Sequence, residues 1–396
     1  MTRPAHTGSR TVDATASTYV RRSVVWLLAV AAVVAVGLIA GASVIGQPPH
    51  RIVGFYVDWD PASYRSLEAN VGKITTLMPE WLHLGANGRL SWDDVTARDR
   101  VASLVRTARP GLAIEPIVND YDRASGRWDA PALARMLRQT ATRRILAGEI
   151  VSTLRDNHFA GVNIDFEDLP AASRDDLVAF MRELCAQAHP LGLEVSEDVA
   201  VGSPAYDLKA LARTADFLVP MMYDEHSASG GAGPVASQAW YVRTLERCLA
   251  DVPASKVVIA LGAYGYDWRA GSNRATSLTF PQAAALARRA DVPIVLDRAS
   301  LTPTFAYESG GVRHRVWMLD AVSAFDELSA SSRFSPGGYA VWRLGAEDPT
   351  LWKVLAHSAS LDSSVASGLN GQVSGSQRTC VYNASTRLIV SARITR

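Results

Sequence analysis

Residues 159–168 read Phe159-Ala-Gly-Val-Asn-Ile-Asp-Phe-Glu-Asp168. The alternation predicts a β-strand with one apolar and one polar face. The apolar face comprises Val162, Ile164 and Phe166, and the polar face comprises Asn163, Asp165 and Glu167. Helical patterns flank this strand, so we expect an interior parallel strand rather than an exposed edge with a solvated acidic face. Two neighbouring buried carboxyl groups cannot both ionise freely, and one of them should keep its proton and act as a general acid.

The composition leaves the partner to be identified from local sites. The chain has 396 residues, 48% of them hydrophobic, and a net charge of +1. It therefore lacks the basic excess typical of nucleic-acid binding, and we predict no nucleic-acid partner. The three cysteines, Cys185, Cys248 and Cys380, are far apart and lack metal-ligand spacing. We predict no disulfide framework, with buried free thiols at the two positions that have helical patterns.

From residue 51 onward, short apolar runs alternate with helical patterns, which is typical of repeated βα units. Eight such runs predict an α/β fold, a (β/α)8 TIM barrel. The predicted strands are 52–57, 81–84, 112–118, 161–166, 193–199, 217–222, 257–261 and 339–344. The predicted helices between them include 131–157, 173–189, 207–214 and 237–249.

The segment 262–338, between the seventh and eighth predicted strands, is too long for a simple βα connection. It contains a helical pattern at 281–290 and β-rich runs at 293–296, 304–308 and 313–319. The sequence Ser309-Gly-Gly311 between the last two runs predicts a hairpin turn. We therefore expect a small α+β insertion that forms one wall beside the barrel mouth.

The two ends of the chain differ from the barrel pattern. Residues 23–46 are uncharged and apolar, and as a helix they would span roughly 30 Å of hydrocarbon. Arginines precede this run, which predicts a cytoplasmic tail at 1–22, a transmembrane anchor at 23–46 and a catalytic domain outside the cell. A cleavable signal peptide is the alternative, since small residues at 40–42 could form a cleavage site. The barrel domain is predicted at 51–353, and residues 357–396 are predicted to be a disordered tail.

Polar side chains cluster at the predicted C-terminal ends of the strands, where barrel enzymes place their reacting groups. They are Asp58, Trp59 and Asp60; Asn119, Asp120 and Tyr121; Asp165 and Glu167; Glu197 and Asp198; Tyr223, Asp224, Glu225 and His226; and Trp342. An aspartate that ends a strand is commonly a turn residue or a helix cap. Their joint position on one rim nevertheless predicts a functional site.

The stretch Ala160-Gly-Val-Asn-Ile-Asp-Phe-Glu167 resembles the Asp-Gly-x-Asp-x-Asp-x-Glu signature of glycoside hydrolase family 18, which includes chitinases and spore-peptidoglycan hydrolases. Ala160 and Asn163 replace the first two aspartates of the signature. Met221-Met-Tyr-Asp224 and Val341-Trp-Arg-Leu-Gly345 resemble two further family motifs. Segments 54–59, 79–84 and 261–267 are most similar to hydrolase domains that bacteria join to a polysaccharide deacetylase and a membrane glycosyltransferase. This implies that the protein works beside such proteins.

The resemblance implies a retaining, substrate-assisted glycosidase that acts on a polysaccharide containing N-acetylglucosamine, without cofactor or metal. Glu167 would be the acid and then the base, and Asp165 would orient the 2-acetamido group that attacks the anomeric carbon. Tyr223 would hydrogen-bond this acetamide, with Asp224 beside it. The implied or candidate substrate-binding residues are Trp342, Asn163, Tyr56, Trp59 and Asn119.

Two alternatives come from other classes of protein. A non-catalytic glycan-binding barrel would keep the aromatic rim, and the replacements at Ala160 and Asn163 favour it slightly, whereas retention of Asp165 and Glu167 argues against it. A metal hydrolase would use Asp224, Glu225 and His226, although three consecutive side chains cannot all face one ion. The sequence leaves open which glycan is cleaved (chitin-like, peptidoglycan or extracellular poly-N-acetylglucosamine) and whether cleavage is endo or exo.

Overall fold

A computed structural model of the protein describes Met1, residues 50–359, Leu361, and the strand residues 377–383 and 388–395. All elements below belong to one unit, His50–Arg396. The predicted tail at 1–22 and anchor at 23–46 lie outside the described residues. Among the helices that the structure does describe, none is long and apolar enough to cross a bilayer.

Eight parallel strands form the barrel, which confirms the predicted fold. With all strands numbered in chain order, they are β1 (Arg51–Tyr56), β2 (Thr76–Leu84), β5 (Ile117–Asn119), β8 (Gly161–Asp165), β9 (Glu194–Val199), β10 (Phe217–Pro220), β11 (Val258–Gly262) and β17 (Gly338–Trp342). Their order is β10-β9-β8-β5-β2-β1-β17-β11. Two parallel bridges, Leu218 with Val257 and Met221 with Ala260, bring the two ends of this order together and complete the circle.

The other strands and the helices surround this barrel. The strands are β3 (Leu90–Trp92), β4 (Ala113–Ile114), β6 (Tyr121–Asp122), β7 (Arg127–Trp128), β12 (Tyr264–Arg269), β13 (Thr276–Thr279), β14 (Val295–Asp297), β15 (Thr302–Ser309), β16 (Val312–Met318), β18 (Gln377–Asn383) and β19 (Leu388–Thr395). The helices are α1 (Pro61–Asn70), α2 (Val95–Ala108), α3 (Ala130–Leu137), α4 (Thr140–Asp156), α5 (Arg174–Ala188), α6 (Leu208–Thr214), α7 (Gln238–Asp251), α8 (Phe280–Arg289), α9 (Ala321–Ser332) and α10 (Leu351–Leu355).

Alternation along the barrel strands separates two hydrophobic layers. A small inner core contains Val53, Phe55 and Met78. Alternate positions such as Ile52 and Tyr56 belong instead to the large core that includes residues of the surrounding helices. This arrangement follows from the period of two in a strand, because successive side chains point to opposite faces.

A five-stranded antiparallel sheet, in the order β13-β12-β16-β15-β14, forms the insertion between β11 and β17. Helix α8 packs on this sheet through Phe280, Ala283 and Ala287. The predicted turn is present between β15 and β16, and Gly310 and Gly311 both have positive φ, at 57° and 74°. Two consecutive left-handed residues suit glycine, since they match the favoured twist of a tight hairpin. Strands β12 and β13 were not predicted from the sequence, and they add two strands to the expected sheet.

Three predicted boundaries were wrong. Strand β2 begins at Thr76 rather than at 81, with Pro79 inside it. The predicted third strand, 112–118, is two short strands, β4 and β5, because Pro116 between them has no N–H to donate to a ladder. The predicted helix 131–157 is interrupted after Leu137, where the Arg143 guanidinium donates to the Leu137 carbonyl at 2.6 Å.

The C-terminal segment also differs from the prediction. Within the predicted disordered tail, β18 and β19 pair as an antiparallel hairpin, with a bulge between Val381 and Tyr382. The β-rich composition of residues 388–395, which include several leucine, isoleucine, valine and threonine residues, is consistent with this pairing. Cys185 and Cys248 are buried free thiols, as expected.

Candidate active site

A cavity of about 860 Å³ opens at the C-terminal end of the barrel strands. Seven of the nine predicted site residues line it: Asp165, Glu167, Tyr223, Asp224, Trp342, Trp59 and Asn119. Asn163 lies directly beneath this cavity, and Tyr56 lies elsewhere. The structure therefore brings together side chains from five barrel strands or the loops that follow them.

Strand β8 places its polar face toward the barrel interior. Val162, Ile164 and Phe166 belong to the outer core, so Asn163 and Asp165 point inward. Asp165 is only 5% exposed. Its Oδ1 atom is buried without a hydrogen-bond partner among the described residues. Burial, and then the nearby Glu167 carboxyl, raise the pKa of Asp165 well above its usual value.

Glu167 follows the end of β8 at the wall of the cavity. Its backbone N–H donates to the Asp120 carboxylate at 3.3 Å. Burial raises the pKa of Glu167 to about 8, with further contributions from Asp168, Asp120 and Asp224. A carboxyl group with this pKa carries its proton at neutral pH, so Glu167 can donate it to a leaving group.

Asn163 supports the cavity from below. It is fully buried, and its amide donates to Ser196 Oγ and Asp198 Oδ1, both at 3.1 Å. Asp198 itself lines the cavity. Burial raises the pKa of Asp198 well above its usual value, although the Asn163 hydrogen bond acts in the opposite direction. Asn163 therefore orients Asp198 and does not line the cavity itself.

Asp224 is held by two tyrosines of the insertion. The Tyr264 hydroxyl donates to Asp224 Oδ1, and the Tyr266 hydroxyl donates to the same oxygen at 3.0 Å. Asp224 has a left-handed backbone, with φ of 62°. This conformation is uncommon outside glycine but tolerated by aspartate. The Tyr223 ring lies edge-on to Tyr264, with 6.0 Å between the ring centroids.

Aromatic side chains form the floor and rim. Trp342, at the end of β17, packs edge-on against Phe55, with 5.3 Å between the ring centroids. Trp59 is 56% exposed on the rim. The Arg343 guanidinium stacks over its ring at 4.1 Å and donates to Asp60 at 2.7 Å. These contacts fix two flat apolar surfaces that suit a sugar ring.

Tyr56 does not reach the cavity. It is 1% exposed and packs in the outer core between strands and helices. The reason is strand parity: Phe55, one residue earlier, points inward to Trp342, so Tyr56 must point outward. Tyr56 is therefore removed from the candidate sugar contacts.

Asn119 lines the cavity within a buried polar network. Its amide donates to Glu80 Oε1 at 3.3 Å, and its oxygen accepts from His83 Nδ1 at 2.7 Å and from the Tyr121 N–H at 3.3 Å. Because these contacts already engage its amide oxygen, Asn119 orients Glu80 and the start of the next loop.

Several cavity residues were not predicted as site residues. They include Glu80, Arg123, Trp128, Tyr264, Tyr266 and Arg343. The period-two spacing of aromatics at 264, 266 and 268 was a usable signal for one face of β12. The distance of the other side chains from Asp165 and Glu167 cannot be read from the sequence, because they lie on other loops and strands.

The side chains proposed for a metal hydrolase have separate partners. Glu225 accepts from the Ser237 N–H at 2.6 Å, and His226 Nδ1 lies 3.0 Å from the Gly231 carbonyl. Asp224 accepts from the two tyrosines. In the part of the chain that the structure describes, no group of three or more His, Cys, Asp and Glu side chains is arranged to hold a metal ion. The geometry does not support this alternative.

A parallel eight-stranded barrel with a carboxyl group of raised pKa, a second carboxyl group beside it and aromatic side chains in the cavity is typical of a glycosidase site. Comparison with known proteins supports this class of site. The chain belongs to the glycosyl hydrolases family 18, whose profile matches residues 51–347. Residues 51–347 therefore form a glycosyl hydrolase family 18 domain.

Similar proteins include cortical fragment-lytic and spore cortex-lytic enzymes of Bacillus, and chitinases. The cortical fragment-lytic enzyme of Bacillus subtilis is 31% identical over 236 residues, which cover 56% of this chain and 54% of that enzyme. The chain thus spans about half the length of this relative. A chitinase from Chromobacterium violaceum superposes with a TM-score of 0.73 at 25% identity, covering 79% of this chain and 100% of that one. The Bacillus megaterium spore cortex-lytic enzyme has a TM-score of 0.70 at 22% identity, over 78% of this chain and 74% of that one, and this likeness concerns the fold alone.

Proposed function

We propose that the protein is a retaining glycosidase that cleaves a polysaccharide containing N-acetylglucosamine by substrate assistance. The observation that carries this proposal is that Asp165, at the end of β8, and Glu167, two residues later, both line one cavity. Two carboxyl groups placed in this way cannot attack a sugar from one face and protonate it from the other. The nucleophile must then come from elsewhere.

The other carboxyl groups of the cavity are poor candidates for that nucleophile, because each has its own partner. Asp60 accepts from Arg343 at 2.7 Å, and Glu80 accepts from Asn119 at 3.3 Å. Asp224 is engaged by the hydroxyl groups of Tyr264 and Tyr266. Asp198 accepts from Asn163 at 3.1 Å, and its raised pKa favours the neutral form. A neutral carboxyl group is a weak nucleophile. These contacts support a nucleophile supplied by the substrate, namely the oxygen of its 2-acetamido group.

In the proposed reaction, Glu167 donates its proton to the oxygen of the leaving sugar while the acetamide oxygen attacks the anomeric carbon. Asp165 orients the acetamide and stabilises the positive charge of the oxazolinium intermediate. The Tyr223 hydroxyl donates to the acetamide, and the Trp342 ring supports the sugar. Glu167 then removes a proton from the water that opens the intermediate, so the two inversions together retain the anomeric configuration.

The names of the relatives support substrates of two kinds, chitin and spore-cortex peptidoglycan. Both polymers contain N-acetylglucosamine, which has the required 2-acetamido group. We propose that residues 23–46 anchor the enzyme in the cell membrane with its barrel outside, where such polysaccharides lie. Cooperation with a deacetylase or glycosyltransferase stays a prediction from the sequence resemblance.

Incubation with defined polymers tests the proposal. The full-length protein is mixed separately with chitin oligomers, peptidoglycan and poly-N-acetylglucosamine, and the products are identified by mass. We expect new reducing ends next to N-acetylated residues in at least one polymer, and none in the matching fully deacetylated polymer. Comparable cleavage of a deacetylated polymer would refute substrate assistance.

A further inference from the structure

Asp120 is a buried carboxyl group that the reaction above does not use. It follows Asn119 at the end of β5, one residue beyond the point where Asn119 pairs with Asp165 of β8. It is 1% exposed. Its Oδ1 atom accepts from the Glu167 N–H at 3.3 Å, and its Oδ2 atom is buried without a hydrogen-bond partner among the described residues.

This contact continues the β5–β8 ladder beyond its last backbone pair. Where β5 ends, the backbone no longer offers an acceptor to the residues that follow β8. A buried N–H without an acceptor is unfavourable, so a side-chain oxygen at this point fixes the chain. The Asp120 carboxyl therefore contributes to holding the backbone of Glu167 at the cavity.

We propose that Asp120 is a positioning residue for Glu167, which it holds in place through its backbone and helps to keep protonated in mildly alkaline solution. The inference rests on the proposed function, in which Glu167 is the proton donor. Asp120 itself is not among the residues that line the cavity, so it acts through Glu167 rather than on the substrate.

The backbone of Asp120 is itself anchored. Its carbonyl accepts from the Asp129 N–H at 3.0 Å. This bond closes the base of the hairpin formed by β6 and β7, in which Tyr121 pairs with Trp128. Both aromatic residues line the cavity. Asp120 thus lies between the end of β5 and the hairpin whose aromatic side chains line the cavity, and it contacts Glu167.

The Asp120 and Glu167 carboxyl groups are surrounded by other carboxyl groups. The carboxyl groups that act on or respond to Glu167 are Asp168, Asp120, Asp224, Glu80, Asp165 and Asp198. The nearest cation on the hairpin, Arg123, acts on Glu80 and is paired with Asp93. Among the described residues, the charged groups that act most strongly on Glu167 are all carboxyl groups, so like charges dominate there.

The pKa values of Asp120 and Glu167 indicate what removal of the Asp120 charge should do. Burial raises the pKa of Asp120 to about 7; the Glu167 N–H lowers it, and Asp129 and Asp168 raise it. The pKa of Glu167 is about 8. Once Asp120 is ionised, its negative charge opposes loss of the Glu167 proton. Removing that charge should let Glu167 ionise at lower pH.

The test compares Asp120→Asn and Asp120→Ala with wild type in the full-length protein. The control is Asp251→Asn, an exposed carboxyl group at the end of α7. kcat and KM are measured from pH 5 to 10 on a soluble N-acetylglucosamine oligomer, and folding is checked by circular dichroism.

Asparagine keeps an oxygen for the Glu167 N–H, so Asp120→Asn should shift the alkaline limb of the kcat profile down by roughly half a pH unit or more. Asp120→Ala loses the acceptor too, and kcat should fall about tenfold at all pH values with little change in KM. Asp251→Asn should match wild type.

An alkaline limb for Asp120→Asn that superimposes on wild type would overturn the inference, and this comparison decides the matter even if Asp120→Ala does not fold. Substitution Glu167→Gln distinguishes failure of the proposed role of Asp120 from failure of the proposed function. If Glu167→Gln is inactive while Asp120→Asn is unchanged, only the role of Asp120 is refuted. If folded Glu167→Gln keeps wild-type activity, the proposed function itself fails.

Discussion

Asn163 shows how one residue can depart from a family signature without removing the site. The signature that the sequence resembles has an aspartate at this position. Here the buried Asn163 amide donates to Asp198 at 3.1 Å, which an ionised aspartate could not do. The replacement therefore adds a donor beneath the cavity and leaves Asp165 and Glu167 in place. The sequence alone could show the replacement but not the partner on β9.

The residue on which turnover depends most is Glu167. Substitution Glu167→Gln keeps the shape of the side chain but removes the proton that it donates. We expect turnover to fall by roughly two or more orders of magnitude without loss of fold. Initial rates on the cleaved polymer and circular dichroism spectra measure the two quantities.

Glu308→Gln is the matched control for this substitution, because Glu308 is exposed on β15 and outside the cavity. It should leave the rate within about twofold of wild type, as is usual for surface positions. A folded Glu167→Gln protein that is as active as Glu308→Gln would contradict the assignment of the acid.

At the scale of elements, the period of two in residues 159–168 was sufficient to predict the orientation of β8. The same reasoning failed where tertiary contacts decide the boundary. Nothing local to the sequence indicates that the Arg143 guanidinium caps the Leu137 carbonyl and ends α3. Likewise, the strand predicted at 81–84 begins at Thr76 and runs through Pro79, and most of its residues are buried in the barrel.

The packing of β8 against β9 depends on a glycine. A Cβ atom at Gly161 would lie 2.3 Å from the Glu194 carbonyl oxygen, which belongs to the backbone of β9. Gly161→Ala should therefore push the two strands apart and lower the free energy of unfolding by about 1–3 kcal/mol. Chemical denaturation monitored by tryptophan fluorescence measures this loss.

Gly148→Ala is the corresponding control in α4, where the added Cβ would meet only Gln187 Oε1 at 3.5 Å. Alanine in a helix interior should raise the free energy of unfolding by about 0.5–1 kcal/mol. Equal effects of the two substitutions would show that the close approach at Gly161 does not constrain the barrel.

At the scale of the whole molecule, the site combines residues that are distant in sequence. Asp224 is held by Tyr264 and Tyr266, which lie on the insertion 40 and 42 residues later. From the eight-strand pattern, the sequence predicted that the C-terminal ends of the strands would meet on one rim of the barrel. It could not predict which insertion side chains turn toward that rim, because their orientation depends on how the second sheet packs.

The membrane anchor is a prediction for the whole chain. Because residues 23–46 are uncharged and long enough to span a bilayer, we expect the protein to stay with the membrane fraction after cell lysis and alkaline washing. Fractionation followed by immunodetection and N-terminal sequencing measures this. Appearance of the barrel in the medium with a new N-terminus near Ser43 would instead identify a cleaved signal peptide.

The central claim is that the substrate supplies its own nucleophile while Glu167 serves as acid and then as base. Proton NMR of the newly formed anomeric centre, recorded within the first minutes of cleavage of an N-acetylglucosamine polymer, tests it most directly. The account predicts that the product first appears with the anomeric configuration of the substrate and then mutarotates. A product that first appears with the inverted configuration would contradict it, because a single displacement by water would then replace the two successive ones.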